Sequence, residues 1–177
     1  APATRRLAKA GRALSEAQVQ SDQERPAKER GIRCHKVVED FLRSPCSPED
    51  ISRLNESLAV EGVAPNAIAW FQDYLETYRD QYEVEHVEYE MFSPRHLLVG
   101  TCDVLLKRRE ASQWNLHDWK FSSRQCDNYF IQLEIYRAML EILYPCMRGH
   151  ITLTIVYIDS QTVVCSTQHP TEWLEVT

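Results

Sequence analysis

No Cys-x-x-Cys pair and no tight cysteine cluster occurs in this chain. Its six cysteines, Cys34, Cys46, Cys102, Cys126, Cys146 and Cys165, lie far apart, a spacing that lacks the usual zinc and iron–sulfur arrangements. No run approaches the ~20 apolar residues of a membrane span, and the opening Ala1-Pro2-Ala3-Thr4-Arg5-Arg6 has no apolar signal core. Internal repeats and low-complexity segments are missing too. Positive charge is not in excess: a net charge of −6 argues against a protein that coats nucleic acid through bulk charge, although local grooves can still be positive. We therefore expect an intracellular chain, not secreted and without a membrane partner, whose thiols are reduced. The absence of an initiating Met is read as a processed chain or an excised domain.

What is present is enough apolar material for a core. At 177 residues and 44% hydrophobic composition, the chain fits one structural domain, comprising a helical region over 1–80 and a sheet-bearing core over 81–177. Residues 4–20 read as a helix with a basic face formed by Arg5, Arg6, Lys9 and Arg12. Pro26 starts a second helix, to about Arg43, on which His35 and Glu39 are one turn apart. Ser47-Pro48-Glu49-Asp50 is a capped start for a third, ending near Val60, and a fourth runs from about Asn66 to Arg79. From Tyr82 the period becomes alternating, and residues 82–92, 97–106, 114–120, 150–158 and 161–166 read as five strands. A helix over Asn128–Leu143, apolar on nearly every side and so expected to be buried, separates the third strand from the fourth. Strand, helix and strand in that order predict a crossover in a mixed sheet. The fold class is α/β (α+β), a mixed central sheet of about five strands flanked by helices.

Several polar residues stand out against this pattern. Asp118 and Lys120 share one face of their strand, and His117 and Trp119 the other. Taken alone, Asp-x-Lys describes a solvated strand edge. Asp103, however, sits in the apolar run Val99–Leu106, where a buried carboxylate costs several kcal/mol unless it is hydrogen-bonded or bound to a cation. Asp103 and Asp118 offer hard oxygen ligands of the kind Mg2+ or Mn2+ takes, and His35 an imidazole that tilts the preference toward Mn2+. Lys120 is placed to orient or help deprotonate a water and to neutralise charge growing on phosphorus. Glu88 and Glu90 share a strand face, so either one can turn toward the same site. Gly100 allows close approach of backbone or helix.

The succession Gly31-Ile32-Arg33-Cys34-His35-Lys36-Val37-Val38-Glu39, Gly100-Thr101-Cys102-Asp103, Asp118-Trp119-Lys120 and Gln132-Leu133-Glu134-Ile135-Tyr136 resembles the RecB-like branch of the PD-(D/E)xK nuclease superfamily. The resemblance covers residues about 30 to 165. It implies a restriction-endonuclease-like core in which His35, Asp103 and Asp118 bind the metal, Lys120 is the catalytic lysine, and Gln132 and Tyr136 form the branch's Gln-x-x-x-Tyr motif. The upstream glutamate of the family matches Glu88 or Glu90. The implied activity is Mg2+- or Mn2+-dependent hydrolysis of DNA, single-stranded or with free ends, by an exonuclease or end-processing enzyme. Replication or recombination proteins are its implied partners. Arg5, Arg6, Lys9, Arg12, Lys107, Arg108, Arg109 and Arg124 are candidate contacts to the nucleic-acid backbone. Two departures count: Phe121 follows the lysine where many relatives carry Thr or Ser, and the cysteines do not reproduce the early-one, late-three pattern of the iron–sulfur relatives, so no cluster is predicted. The alternatives are an RNA endonuclease of the viral cap-snatching kind and a catalytically inactive nucleic-acid-binding module.

Overall fold

The structure, a computed structural model, describes residues 26–122, 124–126 and 128–166. The expected helix over 4–20, with Arg5, Arg6, Lys9 and Arg12, lies outside the described residues. The first described helix, α1, spans residues 26–42. Helix α2 (Pro48–Val60) begins as its sequence dictates: the Ser47 hydroxyl accepts from the Asp50 amide and the Asp50 carboxylate accepts from the Ser47 amide, with Pro48 in the first turn. Helix α3 (Pro65–Gln81) leads directly into strand β1 (Tyr82–Ser93). Then come β2 (Leu98–Arg108), β3 (Trp114–Lys120), helix α4 (Asn128–Leu143), β4 (Ile151–Tyr157) and β5 (Thr162–Ser166).

The sheet order is β1-β2-β3-β4-β5. All neighbours are antiparallel except β3 and β4, which run parallel and are joined through α4, the crossover that the strand–helix–strand pattern predicts. Each sheet face has its own core. On one face Cys34, Val38, Leu54, Leu58 and Phe71 of the first three helices pack with Val104, Leu106, Trp119 and Val156. On the other, Leu133, Met139 and Leu140 of α4 pack with Leu105, Leu116, Leu153 and Ile155. The fold is thus a mixed five-stranded sheet between two helical layers.

Helix α4 departs from expectation. It is buried on every side from Tyr136 to Glu141, yet Ile131 near its start and Ile142 and Leu143 at its end stay exposed. No described helix is long and apolar enough to cross a membrane. Arg30 ties α1 to three other elements: Nε donates to the Glu61 carbonyl at 2.7 Å, Nη1 to the Phe121 carbonyl at 2.9 Å, and both Nη atoms to the Asp159 carboxylate. This clamp fixes α1 across the sheet end where β3 finishes.

Candidate active site

Strands β1 and β2 both change face at the same level. Val87 packs with the helices of the first layer, whereas Tyr89, two residues on, packs under α4; likewise Val104 faces the first layer and Cys102 faces α4. Regular alternation would put residues two apart on one face, so the pleat is broken at Glu88 and at Asp103. The ladder pairs Val87 with Val104 and Tyr89 with Cys102, leaving Glu88 and Asp103 facing each other between them. In β1 the break is visible in the backbone: Glu88 has φ 49°, a left-handed conformation that glutamate seldom adopts. Arg43 at the end of α1 donates to the Val87 carbonyl at 2.9 Å, holding the chain just before this turn of the strand.

Pairing between β2 and β3 also stops here, at Val104–His117. Past that point the Asp103 carboxylate replaces the backbone, its Oδ2 accepting from the Trp119 amide at 2.7 Å. Its Oδ1 lies 3.4 Å from Nδ1 of His35, which α1 brings in from above. One donor atom each from His35, Glu88 and Asp103 therefore falls within 4.8 Å of the others.

Lys120, at the end of β3, holds its ammonium 2.6 Å from Oδ2 of Asp118 and 4.3 Å from the ring centroid of Tyr129 at the start of α4. His35, Glu88, Asp103, Lys120 and Tyr129, together with Lys28, Gly31, Ile32, Lys36, Glu39, Phe121 and Ser122, border an open cleft of about 600 Å3. Electrostatics mark it as a strained cluster. Burial, reinforced by the Asp103 charge, pushes the Asp118 carboxyl up to about 6 even though Lys120 pulls the other way. Burial also raises Glu88, again with Asp103 adding to it. For His35 and Lys120 burial works against the charged form, but Asp103 and Asp118 respectively outweigh it, and both groups end above their ordinary values. Two or more carboxylates so close repel, and a cation among them would relieve the repulsion. One imidazole nitrogen and two carboxylate oxygens are a donor set that suits Mn2+ or Mg2+.

The residues expected from sequence are distributed unevenly. His35, Asp103 and Lys120 line the cleft, and Asp118 is buried beside it, paired with Lys120. Asp118, expected as a ligand, stands against Lys120 rather than in the donor trio, because it projects from β3 on the α4 side with Leu116. Of the two glutamates left open, Glu88 lines the cleft while Glu90 is solvent-exposed on the same ribbon. Gln132 and Tyr136 bond to each other, Nε2 to hydroxyl at 2.7 Å, with the Tyr136 ring under Gly100. They brace the β1–β2 hairpin from the α4 side rather than line the cleft. Lys107, Arg108 and Arg109 sit at the opposite end of the sheet from Lys120, since β3 starts where β2 ends and Lys107 pairs with Trp114. Arg109 is spent on the Arg79 carbonyl and Arg108 on Gln113. Arg124 is exposed in the connection after β3. Lys28 and Lys36 are the basic residues that border the cleft with Lys120, and Lys36 is paired with Glu39 and Asp40. Tyr129 is not legible in sequence: it is separated from Lys120 by an irregular connection, and only tertiary packing brings it over the ammonium.

No individual curated protein gives a significant match to this chain. The family profile described as the PD-(D/E)XK nuclease superfamily, however, matches residues 4–173. That span takes in every strand of the mixed sheet and both edges of the cleft, and the chain belongs to the PD-(D/E)XK nuclease superfamily.

Proposed function

We propose that the cleft is the active site of a divalent-metal-dependent deoxyribonuclease of the RecB-like branch, acting at free ends or on single strands. The observation that carries this reading is the convergence of His35, Glu88 and Asp103 beside a lysine held by its own carboxylate. The DNA substrate, the end preference and the branch are supported by the Gln132–Tyr136 motif and the order of the other motifs along the chain.

His35, Glu88 and Asp103 would hold the cation. Bound there, Mg2+ or Mn2+ supplies Lewis-acid stabilisation of the charge that grows on the phosphate during hydrolysis. The protein's own groups divide the remaining work. Asp103 carries two loads at once, facing His35 with one oxygen and fixing the Trp119 amide with the other, so the spacing between β2 and β3 sets the donor position. Asp118 favours the charged form of Lys120, which suits the ammonium to act as a positive charge beside the phosphate. Asp118 and the Tyr129 ring restrict where that charge can point. Water attacks phosphorus in line and loses a proton to solvent, while the bond to the leaving nucleoside oxygen breaks and that oxygen takes a proton from solvent.

The test uses end-labelled single- and double-stranded DNA, and RNA, with Mg2+, Mn2+ or chelator. DNA should be cut only with metal, and Lys120→Ala should still bind DNA but turn over at least a hundredfold more slowly. Absence of metal-dependent cleavage of any nucleic acid sinks the proposal, and cleavage of RNA alone transfers it to the other substrate.

A further inference from the structure

Beyond Val104 the β1–β2 hairpin no longer pairs with β3, and its tip extends past the level of Thr101, where β3 ends at Lys120. One face of this projection is covered: Met91 and Ser93 are buried, and Gly100 lies on the Tyr136 ring. The other face is open. Phe92 and Val99 are directly opposed in the ladder and are 53% and 76% exposed; Leu97, in the turn that follows, is 83% exposed. These are large apolar side chains at the hairpin tip, each more than half exposed. Leu97 also has φ 52°, a conformation that favours glycine or asparagine, and the turn is pinned by the His96 amide donating to the Ser93 carbonyl and by the Ser93 hydroxyl–His96 ring contact at 3.0 Å.

The open face leads to the metal donors. Val99 and Thr101 share this face along β2, and Phe92 and Glu90 stand opposite them along β1, so the open face runs from the patch to the break in the pleat, where Glu88 and Asp103 present their carboxylates. Four residues separate Phe92 from Glu88, about 13 Å of strand. At the ~3.4 Å advance of a stacked nucleic-acid strand, this distance is about four nucleotides, and fewer if the strand is extended. Between the patch and the donors the ribbon carries exposed Glu90, which repels phosphate. A strand following this surface must therefore turn its bases, not its backbone, toward the ribbon.

We infer that Phe92, Val99 and Leu97 form a stacking platform for unpaired bases of the strand whose phosphodiester enters the cleft, about four nucleotides or fewer from the scissile bond. This inference rests on the nuclease reading and identifies where the strand lies. Aromatic and aliphatic surfaces stack on any base, so the platform holds single strands without reading sequence.

The experiment uses the full chain and short single-stranded DNA with 2-aminopurine placed at successive positions, whose fluorescence falls on stacking. The parent is compared with Phe92→Ser/Val99→Ser, with Phe92→Trp, and with Val60→Ser, which removes an exposed apolar group from α2. Quenching should peak at one or two positions two to five nucleotides from the cut. It should vanish in the double variant, whose affinity for single strands should fall about tenfold or more while its rate at saturating DNA persists. Phe92→Trp should bind at least as tightly as the parent, and Val60→Ser should match it. If the double variant melts like the parent, cleaves, and binds and quenches unchanged, the platform is refuted and the nuclease reading stands. If instead the parent is a dimer that the double variant converts to monomers without loss of DNA affinity, the patch is a self-association face and the inference is wrong. Failure of the parent to bind or cut any nucleic acid removes both.

Discussion

Glu88 and Asp103 face each other across the β1–β2 hairpin at the level where both strands exchange the sheet face they serve. A regular hairpin would put at least one of these carboxylates under a helix or out in solvent. The exchange puts both at the mouth of the cleft, at the expense of a left-handed glutamate.

That expense gives a first prediction. Left-handed backbone costs a residue with a Cβ about 1–2 kcal/mol, whereas glycine adopts it freely but loses ~0.5–1 kcal/mol more chain entropy on folding. Glu88→Gly also removes a like charge beside Asp103. We predict that its stability will equal the parent's within about 1 kcal/mol, unlike most strand substitutions to glycine. Mn2+ should raise the parent's melting temperature by mass action and leave that of Glu88→Gly nearly unmoved. Thermal melts with and without Mn2+ check both halves, and an equal Mn2+ response in the variant removes Glu88 from the ligand set.

Lys120 and Asp118 form the second. Removing one partner of a buried pair leaves an uncompensated charge and costs about 3–5 kcal/mol. In Lys120→Met the orphan is Asp118, whose carboxyl already titrates at about 6 against 3.8 for the free group. Without the ammonium its folded value rises further. Between the unfolded and folded values the native state then binds the extra proton, so stability falls as pH rises through that window. The deficit of Lys120→Met should be small at pH 5 and approach about 3 kcal/mol at pH 8. Adding Asp118→Asn should restore most of the stability at pH 8 but none of the activity. Urea unfolding at the two pH values decides it, and a pH-independent deficit would contradict the assignment.

How far the site is legible in the sequence follows from these residues. Alternating apolar patterns place the strands nearly to the residue, since buried strands between helical layers leave a strong signal. Asp103 is legible because a charge inside an apolar run demands a partner, whereas Asp118 and Lys120, a solvated strand edge when taken alone, and His35 stand out only beside it and through the order of motifs that the resemblance supplies. The choice between Glu88 and Glu90 is not, because strict alternation makes them equivalent and only the break in the pleat separates them. The placement of Lys107-Arg108-Arg109 is not legible for a related reason: a basic run at a hairpin shows neither which end of the sheet it occupies nor that Arg108 and Arg109 are engaged locally.

We predict that His117 sets the acid limit of the fold. It is fully buried beneath α3, its Nε2 2.5 Å from the Tyr74 hydroxyl, and burial lowers its pKa from 6.5 to about 3. Here the unfolded state takes up the proton first. Below pH 6.5 stability therefore falls with pH, by about 1.4 kcal/mol per unit, until about pH 3 is reached. His117→Gln keeps an acceptor for Tyr74 but does not titrate. It should be less stable than the parent at pH 7, with the gap narrowing toward pH 5. Parallel stability curves for the two proteins would show that His117 is not the acid-sensitive group.

Gly100 tests whether the hairpin's support from α4 reaches the metal donors. A Cβ built there would sit inside the van der Waals surface of the Tyr136 ring, 2.9 Å from Cδ1 and closer still to Cε1. The ring cannot easily retreat, being buried and held through its hydroxyl by Gln132. Gly100→Ala should therefore push the hairpin off α4 and cost about 1–3 kcal/mol, as overpacking does. Tyr136→Phe should not rescue it, since the clashing carbons remain, whereas Tyr136→Leu should reduce the cost of the alanine to about 0.5 kcal/mol or less, the mark of direct coupling. Because Asp103 lies only three residues along the same strand, Gly100→Ala should also weaken Mn2+ binding, and the double variant Gly100→Ala/Tyr136→Leu should recover it. Calorimetric titration of Mn2+ into the parent and these two variants measures this. If affinity is unchanged while stability drops, the face exchange at Glu88 and Asp103 holds the donors without help from α4, and the Gln132–Tyr136 pair serves the hairpin tip alone.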